Sequence, residues 1–346
     1  MTVSQPTEDR FLRRFPDPIL TVDSHTHGEP TRLVVDTFRD LPGTTMAEKR
    51  DYFMRHFDRV RCLLTREPRG HRGIMGAVVT GPVTPGARFG LLFMDARRYP
   101  YLCGHATIGA VATLVETGSI DVGDGTHTLT VDTPSGPMDA VAKISGGRVD
   151  TVAIRMVPSF VQAAGVDLGV DGYGNLPVDL VCVGGFFAMI SADAAGISLE
   201  PDNRRRLVDL GMAVIDAANR AFEVRHPLRS EVATVDVTEF HAEDPERPRY
   251  GRSVVIYGES HMDRSPCGTG TTAKMTLLHH LGRLALHEPY VNESPLGTSF
   301  EGRLVASVPV GNFQGVVGEI RGSAQIIGRH EFVLDPRDPF PEGFLL

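Results

Sequence analysis

Cys267 sits in the densest chemical stretch of this chain, Asp263-Arg264-Ser265-Pro266-Cys267-Gly268-Thr269-Gly270-Thr271. An earlier stretch, Cys103-Gly104-His105-Ala106-Thr107-Ile108-Gly109, echoes it at an offset of 164 residues. Gly104 falls on Gly268, Thr107 on Thr271, Leu114 on Leu278 and Gly118 on Gly282. Two thiols in equivalent settings suit the inversion of a stereocentre, which needs one acid/base group on each face of the carbon. An unperturbed thiol, with a pKa of about 8.5, is a few per cent thiolate at neutral pH, and a helix N-terminus raises that fraction. The free N–H groups of such a terminus can also hold a carboxylate. No metal or cofactor enters this scheme.

The elements that position the pair follow from local pattern. Val254–Tyr257 reads as a strand leading into the second stretch, and Leu91-Leu92-Phe93 aligns with it upstream of the first. Apolar residues at Met275, Leu277, Leu278, Leu281 and Leu284 have helical spacing, and Gly118 and Gly282 stand where each helix should end. Ala110–Val115 is apolar on nearly every side, the mark of a helix at a domain's centre. Met46–Phe57 and Pro201–Phe222 read as amphipathic helices, and Thr128–Val157 as paired strands. Gly165–Pro177 reads as a glycine-rich connection and Leu180–Ile190 as one buried strand. The polar run Asp23–Arg32 reads as a hydrogen-bonded turn between the first two strands, and Glu67–His71 as another polar turn.

The expected fold class is therefore α+β, with two similar halves of mixed sheet each wrapped around a central helix and a ligand cleft between them. The first half covers 19–150 with a C-terminal return over about 325–346, and the second covers 151–324. A length of 346 residues suits two domains of ordinary size. A net charge of −8 argues against nucleic acid or an anionic membrane as the main partner, and no apolar run reaches membrane-spanning length. Met1–Pro18 has no apolar core of a signal peptide and reads as a loosely held arm. Four cysteines without CxxC spacing fit reduced thiols and a cytoplasmic location.

Plainer readings compete. Cys62 and Cys182 are best taken as small buried hydrophobes. His105 could ligate a metal, but no second spaced pair supports zinc. Gly268–Lys274 lacks the ending of a phosphate loop. His279, His280 and His287 read as helix and turn surface. A lyase needing one thiol as base, a thiol redox protein and a non-catalytic amino-acid binder all remain open, although no resolving CxxC favours redox chemistry.

Leu102-Cys103-Gly104-His105-Ala106-Thr107-Ile108-Gly109, together with Asp263–Thr271, resembles the two catalytic motifs of the proline racemase superfamily. Asp23–Arg32, Glu67–His71 and Asn292–Thr298 are similar to further motifs of that family, so the match runs from about Ile19 to the C-terminus. The resemblance implies a cofactor-independent, homodimeric enzyme of the diaminopimelate epimerase fold type. Its small-molecule substrate would be proline or a hydroxyproline. It implies Cys103 and Cys267 as acid/base thiols, with His105 and Asp263 at the substrate and Asp263 near the ring nitrogen. Gly104, Gly268 and Thr269 would hold the carboxylate through their backbones. Dehydratases of the family typically carry threonine at the position of Cys267, so the intact pair favours a racemase or epimerase. Met75 and Tyr257 stand where proline racemases usually have phenylalanines, and the loop Ala96–Tyr101 departs from their common Gly-Gly-Tyr type. Tyr257 brings a hydroxyl and Met75 a flexible wall, which leaves room for a hydroxylated ring. The expected activity is 4-hydroxyproline 2-epimerase, with proline racemase or trans-3-hydroxy-L-proline dehydratase as alternatives.

Overall fold

The computed structural model describes residues 14, 15 and 17–346, so most of the expected arm over Met1–Pro18 lies outside the described residues. Strands β1 (Ile19–Thr26) and β2 (Glu29–Val34) form a hairpin, followed by helix α1 (Met46–Thr65). Strands β3 (Met75–Thr80) and β4 (Phe89–Met94) lead into helix α2 (Gly104–Glu116). Three antiparallel neighbours, β5 (Gly125–Thr133), β6 (Gly136–Ser145) and β7 (Arg148–Arg155), complete the first half. The second half runs β8 (Ser159–Val170), β9 (Gly174–Val183), β10 (Gly185–Ser191), helix α3 (Arg204–Ala221), β11 (Val235–Glu243), β12 (Tyr250–Tyr257) and the short β13 (His261–Met262). Helix α4 (Gly268–His280) and strands β14 (Tyr290–Glu293), β15 (Ser299–Val310) and β16 (Phe313–Gly322) follow. The last strand, β17 (Ala324–Phe332), returns to pair with β1.

Each half is a ring of strands around one helix. In the second, pairing runs from β8 through β9, β10, β11, β12, β14, β15 and β16 and back to β8, a closed circuit. Closure leaves no free edge, and α4 fills the interior against β8, β9, β12, β15 and β16. In the first, α2 packs on β1, β2, β3, β6, β7 and β17 and is buried from Gly104 to Val115. A helix surrounded on every side must be apolar all round, which is what Ala110–Val115 announced. Threonines in these interior helices satisfy their hydroxyls on the preceding turn, as Thr107 does on the Cys103 carbonyl and Thr272 on that of Gly268.

The halves share an edge rather than a linker. Gly315 and Val316 of β16 pair with β8, whereas Glu319–Gly322 of the same strand pair with β7. The expected boundary after residue 150 thus falls inside β7, which runs on to Arg155. Other expectations are also corrected. Gly165–Pro177 is not a connection but most of the β8–β9 hairpin, and Leu180–Ile190 is two strands broken at Gly184, whose φ is +73°. Strands run through most of Asp23–Arg32, leaving only His27-Gly28 as the turn. The α1 helix extends past Phe57, itself out of helical geometry, to Thr65. Leu281 lies beyond the end of α4 and is exposed. Among the described residues no helix is long and apolar enough to cross a membrane.

Candidate active site

Both interior helices start at their cysteine. Cys103 is the N-cap of α2 and Cys267 the N-cap of α4, and both helices close on the expected glycine at positive φ, Gly118 at +73° and Gly282 at +70°. The two N-termini meet glycine to glycine. A Cβ on Gly104 would lie 3.0 Å from the Gly268 Cα, and one on Gly268 would lie 3.1 Å from the Gly104 Cα and 2.6 Å from Ile320 Cδ1. Glycine after each cysteine is therefore what lets the helix ends approach.

The two sulfurs have parallel surroundings. Cys267 Sγ accepts the Gly270 amide at 3.3 Å, whereas Cys103 makes no side-chain cap hydrogen bond and the Ala106 amide, at the equivalent third helical position, only opposes the rise of its pKa. The residue two places on then supplies a side chain: His105 Nδ1 lies 3.4 Å from Cys103 Sγ, and Thr269 Oγ1 lies 3.4 Å from Cys267 Sγ. The Pro30 carbonyl beside the His105 ring acts to raise its pKa. Burial pulls His105 down to about 4, which keeps it neutral. All four cysteines are free thiols.

The cysteines differ in backbone. Cys103 is extended, whereas Cys267 has φ +57° and ψ +116°, a conformation that costs a non-glycine residue on the order of 1–3 kcal/mol. A hydrogen-bond chain sustains it. The Cys267 N–H donates to Ser265 Oγ, and the Ser265 N–H and hydroxyl both donate to Asp263 Oδ1 at 2.8 Å. Asn292 Nδ2 and the Thr271 hydroxyl grip the Pro266 carbonyl, each at 3.0 Å, which accounts for Asn292 within the 292–298 motif.

Burial raises Asp263 to about 7, with the Glu29 charge adding to the rise. Both thiols are also pushed well above the usual cysteine value, by burial first, against a lowering by their single helix amides. The thiolate that helix N-termini were expected to favour is therefore not favoured by the protein's own groups. The Tyr257 hydroxyl donates to Glu29 Oε1 at 3.4 Å, which leaves its oxygen as an acceptor only.

All nine candidates, Cys103, Cys267, Gly104, His105, Asp263, Gly268, Thr269, Tyr257 and Met75, line one cavity of about 230 Å³. Phe187, Val183 and Val237 add apolar wall, while Arg98, Glu231, Thr234 and Asp236 bring a polar cluster that sequence reasoning missed. Within it, Arg98 pairs with Asp236 at 2.9 Å and the Thr234 hydroxyl donates to Asp236 at 3.1 Å. These residues lie on loops and strand ends with no motif to mark them. Only Arg98, inside the atypical Ala96–Tyr101 loop, carried a signal.

Fold and cavity define a class, that of isomerases built from two like halves with the ligand site between their central helices. The chain belongs to the proline racemase family, whose model, described as proline racemase, matches residues 21–345. It is 38% identical over 333 residues to a proline racemase of Clostridioides difficile, covering 96% of this chain and 99% of that one. It is 40% identical over 327 residues to a 4-hydroxyproline 2-epimerase of Streptosporangium roseum, covering 94% and 97%. Among solved structures, a hydroxyproline epimerase from Agrobacterium vitis with bound trans-4-hydroxy-L-proline superposes with a TM-score of 0.91 at 27% identity, covering 96% of each chain.

Proposed function

We propose that this protein inverts the α-carbon of a hydroxylated proline, as a 4-hydroxyproline 2-epimerase converting trans-4-hydroxy-L-proline to cis-4-hydroxy-D-proline. The observation that carries the two-base reading is the pair of free cysteines that cap two touching helices and line one cavity. One sulfur, as thiolate, takes the α-proton and becomes a thiol. The other, as thiol, delivers its proton to the opposite face and becomes the thiolate, so the reverse reaction exchanges the roles. The substrate carboxylate sits on the first amides of the two helices, at Gly104, Gly268 and Thr269, where hydrogen bonds strengthen as charge builds toward the enolate. Asp263 faces the ring nitrogen. The ammonium there offsets the charge that Asp263 carries when ionised, and the same cation favours a thiolate in a cavity that otherwise holds both thiols neutral.

The choice of a hydroxylated ring rests on the polar cluster of Thr234, Asp236, Glu231 and Arg98 beside the apolar wall, and on the likeness to epimerases of 4-hydroxyproline. Tyr257 donates its hydroxyl proton to Glu29, so toward a substrate hydroxyl it can act only as an acceptor. A site that hydrogen-bonds a substrate hydroxyl rejects the analogue lacking it by about 10⁴-fold in favourable cases. The test incubates the enzyme in D₂O with L-proline, trans-4-hydroxy-L-proline and trans-3-hydroxy-L-proline, following α-deuteration and optical rotation. Preferred inversion of the 4-hydroxy compound supports the assignment. Inversion confined to unsubstituted proline makes it a proline racemase, and loss of water from the 3-hydroxy compound without inversion of the others makes it a dehydratase.

A further inference from the structure

Glu29 is a fully buried carboxylate at the start of β2, in the first half, and its partners lie in the second. Its Oε1 accepts from His261 Nε2 at 2.7 Å and from the Tyr257 hydroxyl at 3.4 Å. Its Oε2 accepts both the backbone amide and Nε of Arg264, each at 2.9 Å. A buried carboxylate is costly unless ion pairs and hydrogen bonds compensate it. Here they overcompensate: burial alone would raise this carboxyl, but His261, then His105 and Arg264, hold it well below the usual glutamate range.

The geometry surrounds Asp263. His261 and Arg264 flank it in sequence, and both are tied to Glu29. Arg264 reaches further into the first half, its NH2 donating to the Gly73 carbonyl at 2.6 Å. Gly73 in turn has no room for a side chain, since a Cβ there would lie 2.9 Å from Arg264 NH2 and 2.9 Å from His261 Cε1. The segment 261–264 is thus clamped by the first half at two points. From it the chain Asp263–Ser265–Cys267 sets the strained N-cap cysteine.

We propose that Glu29 is a positioning residue for the reaction: from the first half it holds the segment that carries Asp263, and through it the backbone of Cys267, in register with Cys103. This rests on the two-thiol reading of the site. The groups facing Glu29 are His261, Arg264, Tyr257, Asp263, His105 from α2 and His71 from the loop before β3. Those facing Asp263 are Glu29, His261, Ser265, Arg264, Tyr257 and the two thiols. Removing the Glu29 charge therefore makes Asp263 easier to ionise, while removing Arg264 makes it harder.

The test compares Glu29→Gln, nearly isosteric but fully buried, with Arg264→Gln, which alters a partly exposed side chain and so tests the same clamp with less disturbance of the core. For each, kcat/KM is measured against pH with whichever imino acid the wild type inverts, and amide hydrogen exchange is followed by mass spectrometry. Both variants should lose at least about tenfold in kcat/KM. The limb of the pH profile set by Asp263 should move toward acid in Glu29→Gln and toward alkali in Arg264→Gln. Peptides covering 258–267 should exchange about tenfold faster in both, with those of α2 and α3 unchanged. A wild-type pH profile and kcat/KM in either variant would overturn the proposal, as would limbs moving the same way. Faster exchange spread over the whole chain would overturn it too, since it would mark Glu29 as a general structural residue. Exchange needs no substrate, so a wild type that inverts no imino acid defeats the functional reading alone, whereas unchanged exchange at 258–267 defeats this one.

Discussion

Cys103 and Cys267 stand where helix amides should favour a thiolate, yet both are held as thiols because burial outweighs the polar groups at the helix ends. The free enzyme should accordingly be slow to alkylate with iodoacetamide at neutral pH, its rate climbing with pH and showing no plateau below pH 9. A plateau near neutrality would show that the dipole wins. Cys103→Ala and Cys267→Ala should each lower stereoinversion by about 10³-fold or more, since a positioned acid or base is worth about 10²–10⁴-fold. Either variant should retain α-proton exchange on the face still served, which chiral chromatography combined with mass spectrometry in D₂O would separate from inversion. Cys182→Ala, deep in the second half's apolar core, should leave kcat/KM unchanged within about twofold; near wild-type inversion by either pocket variant sinks the assignment. At this scale the sequence was legible where a motif repeats and opaque where a partnership is remote. Glu29 stood inside a motif, but its link to Arg264 spans 235 positions and no spacing rule reaches that far.

The repeated element, a strand running through a loop and Cys-Gly into a buried helix, was readable because its cues are local: the apolar run, the cap and the closing glycine. Where cues were misleading, the cause was burial on both faces. The run from Leu180 to Ile190 has no polar alternation to reveal that β9 and β10 are two strands, since both are packed on either side. The contact between helix ends could not be read at all, because it depends on how two rings meet. It makes a sharp prediction. In Gly104→Ala the new methyl faces the Gly268 backbone, which cannot rotate away, so the helix ends must separate by several tenths of an ångström. Overpacking of this kind costs about 1–3 kcal/mol, and a displaced thiol should cost at least about tenfold in kcat/KM. Chemical denaturation and steady-state kinetics on Gly104→Ala would measure both. A variant with wild-type kcat/KM would mean that the helix contact does not set the distance between the thiols.

Across the whole molecule, the cavity trades stability for function, and Asp263 shows the sign of the trade. Its carboxyl titrates at about 7 in the folded chain and at 3.8 ordinarily. Between those values the folded state keeps a proton that the unfolded chain has released, so stability falls as pH rises through this window, and the full penalty stands at pH 8. Glu29 runs the other way: its carboxyl is depressed on folding, so its contribution is present above the usual value of 4.5 and is lost as pH falls. The two opposing slopes can be told apart by Asp263→Asn, which cannot ionise and whose Oδ1 can still accept from the Ser265 N–H and hydroxyl. This variant should be more stable than the wild type at pH 8, by on the order of 4 kcal/mol, with the gain shrinking toward nothing near pH 4.5. It should also lose most of its activity, because in the proposed reaction the Asp263 charge meets the substrate nitrogen. Denaturant unfolding at pH 4.5, 6 and 8 gives the comparison. A gain of equal size at all three values would show that the ionised carboxylate is not what strains the site, and its stability would then have to be sought in its packing instead.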